Sequence, residues 1–408
     1  MSALDRRDFN RLLLAAALAA SLPGCTRRED YTDQDAAELD RQKQQEAAHS
    51  GHGPYGALRF RGYRGLAQLP YFELDSNDQL RLKLGDLPRA IDFHTHLGMA
   101  FLFAPVLDLQ RHTRRVQYFL DCDRLKPGCR LDLDVYINAN FTQAEHRELT
   151  RETLGQLLFG SRAAQTHTVP NLLAEMDAMD VQQAAVLAIA AGFPFGDDLT
   201  NTWMQAIRRA HADERLLLFA SVHPRQAGWR EKLRDFARRG VRGVKIHPEM
   251  QRLFPDDPGA MEIYAECERL GLPVIFHCGR SGIEPEFMRP YALMRRYVPA
   301  IESFPQVQFV LGHAGARDVA AAIPLAQRHG NVWLEIAGQG VTQLHELVAQ
   351  VGAEKLLFGT DWPFYPLAAT LAKVLLVTEK QPATRTAILR GNAERVFAAA
   401  ARTRQSTT

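Results

Sequence analysis

The stretch IDFHTH at residues 91–96 is an apolar run that ends on two histidines. Four more apolar runs also end on a residue that can bind metal: VKIH at 244–247, VIFH at 274–277, FVLGH at 309–313 and LLFGTD at 356–361. Runs of this length are typical of strands buried on both faces, so each polar residue lies where a strand leaves the core. Parallel α/β barrels keep their chemistry at that end of their strands.

From residue 89 onward, strand candidates alternate with stretches long enough for a crossover helix. The candidates lie near residues 89–94, 183–190, 215–222, 241–247, 273–278, 307–313, 331–336 and 355–360. One crossover helix is expected to begin near Pro258 and to stop at Gly271. Eight strands predict an α/β fold, a (β/α)8 TIM-like barrel. A doubly wound open sheet is less favoured, because no glycine-rich phosphate loop follows the first strand.

The first 25 residues are typical of an export signal rather than of the fold. Arg6 and Arg7 precede an apolar segment from Leu12 to Leu22, which is too short to cross a bilayer but suits a signal-peptide core. The arginine pair resembles a twin-arginine signal, and LPGC at 22–25 resembles a lipoprotein box with Cys25 as the lipidated residue. The alternative is an ordinary secretory signal with an incidental cysteine. We expect an exported, periplasmic protein held to the membrane by lipid on Cys25.

Three further segments follow the signal. Residues 26–55 are rich in charged and amide side chains and are predicted to be a polar tether. The barrel is expected to span 56–400. More than 80 residues separate His96 from the second strand, so we expect an inserted lobe at about 97–168 that overhangs the site. Cys122 and Cys129 could pair in an oxidising compartment, which the sequence leaves open.

Composition limits the class of partner. The 408 residues include 49 basic and 47 acidic ones, for a formal net charge of +2. No basic run is interleaved with aromatic residues, so no nucleic-acid partner is predicted. A small molecule, polar or anionic, is the expected partner.

The ligand-type residues at the strand ends predict a divalent metal site. His94 and His96 lie two apart on one strand, so their side chains point to the same side. Histidine accounts for only 14 of 408 residues, so two more strands ending on His277 and His313 are unlikely to be accidental. Asp361 at the last strand end supplies a carboxylate that can act as ligand and proton acceptor.

The motifs and their order resemble the amidohydrolase superfamily, in particular its amidohydrolase-related (amidohydrolase 2) branch. The motifs are HTH at 94–96, GVKIHP at 243–248, FH at 276–277, GHAG at 312–315, GTDWPF at 359–364 and GNAERVF at 391–397. The resemblance implies one divalent ion, usually Zn²⁺, and a catalytic role for His313 beside a metal-bound water. The metal ligands it implies are His94, His96, His277 and Asp361.

Lys245 is the main ambiguity in that resemblance. In two-metal members of the superfamily a lysine at this position is carbamylated and bridges two ions, which would make His313 a ligand of the second metal. The commoner arrangement in this branch has one metal, with Lys245 and His247 as pocket residues that contact substrate. A structural role for His247 in the turn before Pro248 is the other reading.

Three more residues are candidates for the pocket. Arg280 and Arg317 lie three and four residues beyond strand-end histidines, where they could bind a substrate carboxylate or remain solvated loop charges. Trp362, beside Asp361, could line the pocket or pack against a helix.

These residues favour a metal-dependent hydrolase that uses a metal-activated water on a carbon–nitrogen, ester or lactone bond of a small molecule. Asp361 would accept a proton from the water, and His313 would orient the water or polarise the bond. The alternative is a metal-dependent non-oxidative decarboxylase of a small aromatic or unsaturated acid. A non-catalytic surface lipoprotein is a third possibility. An extracytoplasmic location favours hydrolysis.

Overall fold

The computed structural model describes residues 30–100, 106–121, 129–193 and 198–406. Within them the strands are β1 Arg59–Arg61, β2 Phe72–Leu74, β3 Leu80–Leu82, β4 Ala90–Thr95, β5 Arg130–Asp132, β6 Val181–Leu187, β7 Leu216–Ala220, β8 Gly243–Ile246, β9 Val274–Phe276, β10 Phe309–Leu311, β11 Val332–Glu335 and β12 Leu356–Leu357. The α-helices are α1 Asp33–His49, α2 Gln143–Phe159, α3 Val169–Ala178, α4 Leu199–Arg209, α5 Trp229–Arg238, α6 Pro248–Gln251, α7 Pro258–Leu270, α8 Val298–Ser303, α9 Val319–Arg328, α10 Val341–Val351, α11 Leu367–Val377, α12 Pro382–Thr386 and α13 Asn392–Ser406.

Eight parallel strands form the main sheet, in the order β4, β6, β7, β8, β9, β10, β11, β12. Its two edges are joined by backbone hydrogen bonds. Phe93 N donates to Phe358 O at 2.8 Å, and Asp361 N donates to His94 O at 2.7 Å. The (β/α)8 barrel is confirmed, and its closure places the ends of the first and last strands side by side.

The barrel interior is filled by large apolar side chains below the strand ends. These inward-facing residues are Ile91, Phe93, Ala185, Leu187, Phe219, Ile275, Val310, Trp333 and Leu357. The Phe93 ring lies 5.6 Å from that of Phe219 and 5.2 Å from that of Phe397 in α13. The filled floor leaves the polar strand ends as the place for chemistry.

The predicted α7 is confirmed at both ends. Pro258 is its first residue, where a missing N–H costs nothing, and Gly271 ends it with φ of 60°. The next strand, β9, begins three residues later.

Within the predicted tether, residues 33–49 form α1. Thr32 and Asp35 form a capping box at its start. Its acidic residues pair with arginines of the barrel: Asp35 with Arg295 at 2.7 Å, Glu46 with Arg317 at 2.8 Å, and the preceding Asp30 with Arg296 at 2.6 Å. The segment has little apolar surface, so these ion pairs hold the helix in place.

Described parts of the chain between β4 and β6 contact the loop after β12 and the strand β1. β5 in this segment pairs antiparallel with β1. Phe119 N and Leu120 N donate to Pro363 O and Phe364 O, both at 3.1 Å, in the loop after β12. Cys129 is disulfide-bonded, but the predicted partner Cys122 lies outside the described residues.

None of the described helices combines the length and apolarity needed to cross a bilayer. The predicted signal segment, including Cys25, lies outside the described residues.

Candidate metal and active site

His94, His96 and Asp361 meet at the junction of β4 and the loop after β12. Asp361 Oδ1 lies 3.4 Å from His94 Nε2 and 3.3 Å from His96 Nε2. These separations exceed those of a good charge-assisted hydrogen bond, about 2.7–2.9 Å. Two ligand bonds of about 2.1 Å at a tetrahedral angle would place their donor atoms about 3.4 Å apart. The spacing therefore suits Asp361 sharing one small cation with each of the two histidines.

A break in strand pairing turns the histidines toward this point. Phe93 faces the barrel interior, so in a regular strand its neighbour His94 would face outward. The register between β4 and β6 shifts between Asp92 and Thr95. Such irregularities are typical beside active sites, because they redirect side chains.

The outer ring nitrogens of both histidines are already bonded. His94 Nδ1 lies 2.7 Å from Glu335 Oε2, and His96 Nδ1 donates to Leu187 O at 2.8 Å. Each ring therefore presents Nε2 to Asp361, as in metal sites where a carboxylate or carbonyl fixes the ligand tautomer. Burial, followed by the charge of Lys245, lowers the pKa of His94 well below its usual value. A neutral imidazole is the form that binds metal.

His313 is carried on a backbone segment of unusual conformation. His313, Ala314 and Ala316 have φ of 56°, 48° and 49°, a left-handed region that costs about 1–2 kcal/mol for each non-glycine residue. Gln339 Nε2 holds this segment by donating to His313 O at 2.5 Å and Ala316 O at 2.9 Å. The preceding Gly312 is required by space, since a Cβ there would lie 2.2 Å from Phe276 O. The segment brings the His313 ring centre within 4.9 Å of that of His94.

His277 lies next to His313. Its Nδ1 is 3.1 Å from His313 Nε2, and its Nε2 is 3.2 Å from Glu249 Oε2. Its ring stacks on His247, with centres 4.1 Å apart and planes inclined by 7°. Ligand atoms within 4.8 Å of one another thus form two groups: His94, His313 and Asp361, and His247, Glu249 and His277.

Lys245 lies under the site. Its Nζ is 3.3 Å from His94 Nε2, and its side chain is fully buried. Burial lowers its pKa to about 8, with nearby Asp361 and Glu335 acting in the opposite direction. Its amine is therefore easier to deprotonate than that of an ordinary lysine.

Two buried acids link the ends of neighbouring strands. Asp92 accepts from Thr360 Oγ1 at 2.6 Å and from His94 N at 2.9 Å, and burial raises its pKa to about 7. Glu335 accepts from His313 N at 3.0 Å and from Ala337 N, and burial raises its pKa to about 8.

Three predicted pocket residues have partners elsewhere. Arg280 pairs with Asp318 at 2.5 Å. Arg317 pairs with Glu46 of α1 and also donates to Ser281 O. Trp362 is fully buried, and its Nε1 donates to Glu175 of α3 at 2.8 Å.

Sequence reasoning missed four functional candidates. Glu335 ends β11 as the histidines end their strands, so the strand-end pattern could have found it. Asp92 and Glu249 lie within or next to quoted motifs. Gln339 has no signal in the sequence, because its role depends on distant backbone carbonyls.

The barrel and its strand-end residues match a known family. The model of the amidohydrolase family matches residues 91–399. The chain belongs to the amidohydrolase family. The family that the motifs of this amidohydrolase resemble is therefore confirmed. A comparison with curated proteins finds no match.

Solved structures share the fold of this amidohydrolase. An uncharacterized TIM-barrel protein from Bordetella bronchiseptica is 21% identical, with a TM-score of 0.52, 76% of this chain covered and 99% of the other. The 5-carboxyvanillate decarboxylase of Sphingomonas paucimobilis is 16% identical, with a TM-score of 0.50 and the same coverage. A probable 2-pyrone-4,6-dicarboxylic acid hydrolase from Acinetobacter baumannii is 14% identical, with a TM-score of 0.45, 76% of this chain covered and 100% of the other.

The donor set fits the divalent metal that amidohydrolases typically use. It combines imidazole nitrogens with one carboxylate oxygen, and hydrogen bonds fix the outer nitrogens of His94 and His96. Three protein ligands with an open position are the usual arrangement of a catalytic zinc site.

Proposed function

We propose that this amidohydrolase is a metal-dependent hydrolase of small molecules, acting on a carbon–nitrogen, ester or lactone bond. The convergence of His94 Nε2 and His96 Nε2 on Asp361 Oδ1 supports it most directly. His94, His96 and Asp361 would hold one divalent cation, for which we expect Zn²⁺. Such a cation, when bound, lowers the pKa of a coordinated water toward about 7 and so supplies a nucleophile at neutral pH.

The chain's own groups divide the remaining work. Asp361 accepts the proton of the attacking water and passes it to the leaving group. His313 Nδ1 donates to Ala337 O at 3.2 Å, so its Nε2 can accept a hydrogen bond from the attacking water and orient it, while Gln339 and Glu335 hold its backbone in place. Lys245, next to His94, is a candidate to contact substrate. The prediction of His277 as a further ligand stays a prediction, since its two nitrogens face His313 and Glu249.

The arginines bear on the choice between hydrolysis and decarboxylation. A decarboxylase acts on an acid, and Arg280 and Arg317 were the candidates to bind its carboxylate. Both guanidinium groups instead pair with Asp318 and Glu46. Because both guanidinium groups are already paired, uncharged esters, lactones and cyclic amides are favoured over carboxylic acids as substrates.

The test is to compare the two reactions on one metal-loaded preparation. The protein would be incubated with a panel of esters, lactones and cyclic amides, and separately with aromatic and unsaturated carboxylic acids. We expect hydrolysis products from the first panel, detected by chromatography, and no CO₂ from the second, with a His96→Ala variant as the inactive control. Metal-dependent CO₂ release without hydrolysis would replace this proposal by the decarboxylase alternative.

Glu335→Gln is expected to lower the affinity for Zn²⁺ by about 10–100-fold, the usual effect of losing the partner of a ligating histidine. Gln keeps the shape of Glu335, but its NH₂ group would face an N–H donor. At least one of His94 Nδ1, His313 N and Ala337 N would then lose its acceptor. Chelator competition would measure the affinity. Glu354→Gln is the control, because Glu354 is an exposed glutamate just before β12. It should bind Zn²⁺ as the wild type does.

We further propose that the protein is exported to the periplasm and held to the membrane through lipid on Cys25. The support is the order of Arg6-Arg7, the apolar run 12–22 and the LPGC stretch 22–25. Substituting Lys for both Arg6 and Arg7 should leave precursor in the cytoplasm, as fractionation and immunoblotting would measure. Cys25→Ser is the matched variant, which should be exported but lose its lipid. Undiminished export of the double-lysine variant would contradict a twin-arginine route.

A further inference from the structure

His247, Glu249 and His277 form a second group of ligand-type side chains beside the first. They come from the end of β8, the first turn of α6 and the end of β9. Glu249 Oε2 lies 3.2 Å from His277 Nε2 and 3.8 Å from His247 Nδ1. These separations bracket the value of about 3.4 Å expected for donors that share a tetrahedral cation.

The histidine rings are arranged to present their nitrogens together. They stack nearly parallel, 4.1 Å apart, which brings one nitrogen of each to the same carboxylate oxygen. Among the described residues, His247 Nδ1 otherwise accepts only a hydrogen bond of 3.5 Å from Met250 N, at the outer limit for such a bond. Its lone pair is therefore available to a ligand.

Glu249 provides the strongest independent evidence for a ligand at this group. It is 3% exposed, and among the described residues its Oε1 has no hydrogen-bond partner. A buried carboxylate oxygen without a partner is costly, and such an atom points to a missing ligand. A bound cation would give this buried oxygen a partner.

We propose that His247, Glu249 and His277 form a second divalent-cation site, distinct from that of His94, His96 and Asp361. Two imidazoles and one carboxylate suit Zn²⁺ or Co²⁺ rather than Ca²⁺ or Mg²⁺, which prefer oxygen ligands. His277 joins the two sites, because its Nδ1 contacts His313 while its Nε2 faces Glu249. The site uses no carbamylated lysine, since Lys245 contributes none of the three donor atoms.

The test is a count of bound metal. Full-length protein would be stripped with chelator, loaded with excess Zn²⁺ or Co²⁺, dialysed and analysed for equivalents per chain. We expect two equivalents in the wild type and one in Glu249→Gln, in His247→Gln and in His94→Ala. Lys245→Ala should keep two. Glu284→Gln, which removes a neighbouring charge but none of the three donors, is the matched control and should also keep two.

The count separates this inference from the hydrolase proposal. One equivalent in the wild type, or two in Glu249→Gln, would overturn the second site. Loss of an equivalent in Lys245→Ala but not in Glu249→Gln would assign the ion to a carbamylated lysine and overturn it as well. Thermal melts of the metal-free variants, compared with metal-free wild type, would identify a variant that fails to fold. If Glu249→Gln does not fold, the metal count of His247→Gln still tests the second site. Two bound ions without hydrolysis would leave this site standing and remove the hydrolase proposal.

Discussion

Replacing Asp361 with asparagine is expected to lower kcat by about 10²–10⁴-fold while the fold is kept. The carboxamide cannot accept the proton that Asp361 takes from the attacking water, and loss of a positioned general base typically has this cost. Asparagine is the right substitution because Asp361 has φ of 58°, a left-handed conformation that asparagine tolerates better than other residues. The backbone bond from Asp361 N to His94 O would remain.

The chain offers a matched control for that experiment. Asp78 also has a left-handed backbone, with φ of 56°, but lies exposed in the turn between β2 and β3. Asp78→Asn should leave kcat within twofold of the wild type. The measurement is the rate against pH on the best substrate of the hydrolysis panel, together with bound metal. A kcat within tenfold of the wild type in Asp361→Asn would exclude Asp361 as the proton acceptor.

The sequence predicts the fold and the place of the site because strand ends are marked locally. Each buried strand is an apolar run, and the residue that ends it lies at the rim of the barrel. His94, His96, His313 and Asp361 could therefore be placed together without knowing any side-chain direction. The alternation alone does not reveal the break in β4 pairing that turns both Phe93 and His94 inward.

Long-range charge pairing is what the sequence could not show. Residues 26–55 are polar and lack an apolar stripe, so they read as a solvated tether. The partners of Asp35 and Glu46 lie about 260–270 positions later in the chain. The same pairing removes Arg317 from the pocket, since its guanidinium is bound to α1. Loop arginines beside a site cannot be assigned to substrate by position alone.

Arg280→Met is therefore expected to act on stability and not on substrate binding. Arg280 is 3% exposed and gives Asp318 a two-point contact, Nη2 to Oδ1 at 2.5 Å and Nε to Oδ2 at 2.9 Å. Removing it leaves a buried carboxylate without its cation, which typically costs about 3–5 kcal/mol of unfolding free energy. Arg41→Met, at an exposed pair with Glu38, should cost at most about 0.5 kcal/mol.

Urea unfolding of Arg280→Met and Arg41→Met measures their free energies of unfolding. The KM of the best substrate shows whether substrate binding has changed. If Arg280 instead binds substrate, Arg280→Met should raise KM with little change in stability. An ion pair predicts the reverse. It also predicts that Arg280→Met combined with Asp318→Leu recovers much of the lost stability, because the double change removes the unpaired charge and not only its partner. Only a buried pair gives that recovery, since a guanidinium that binds substrate has no reason to couple to Asp318.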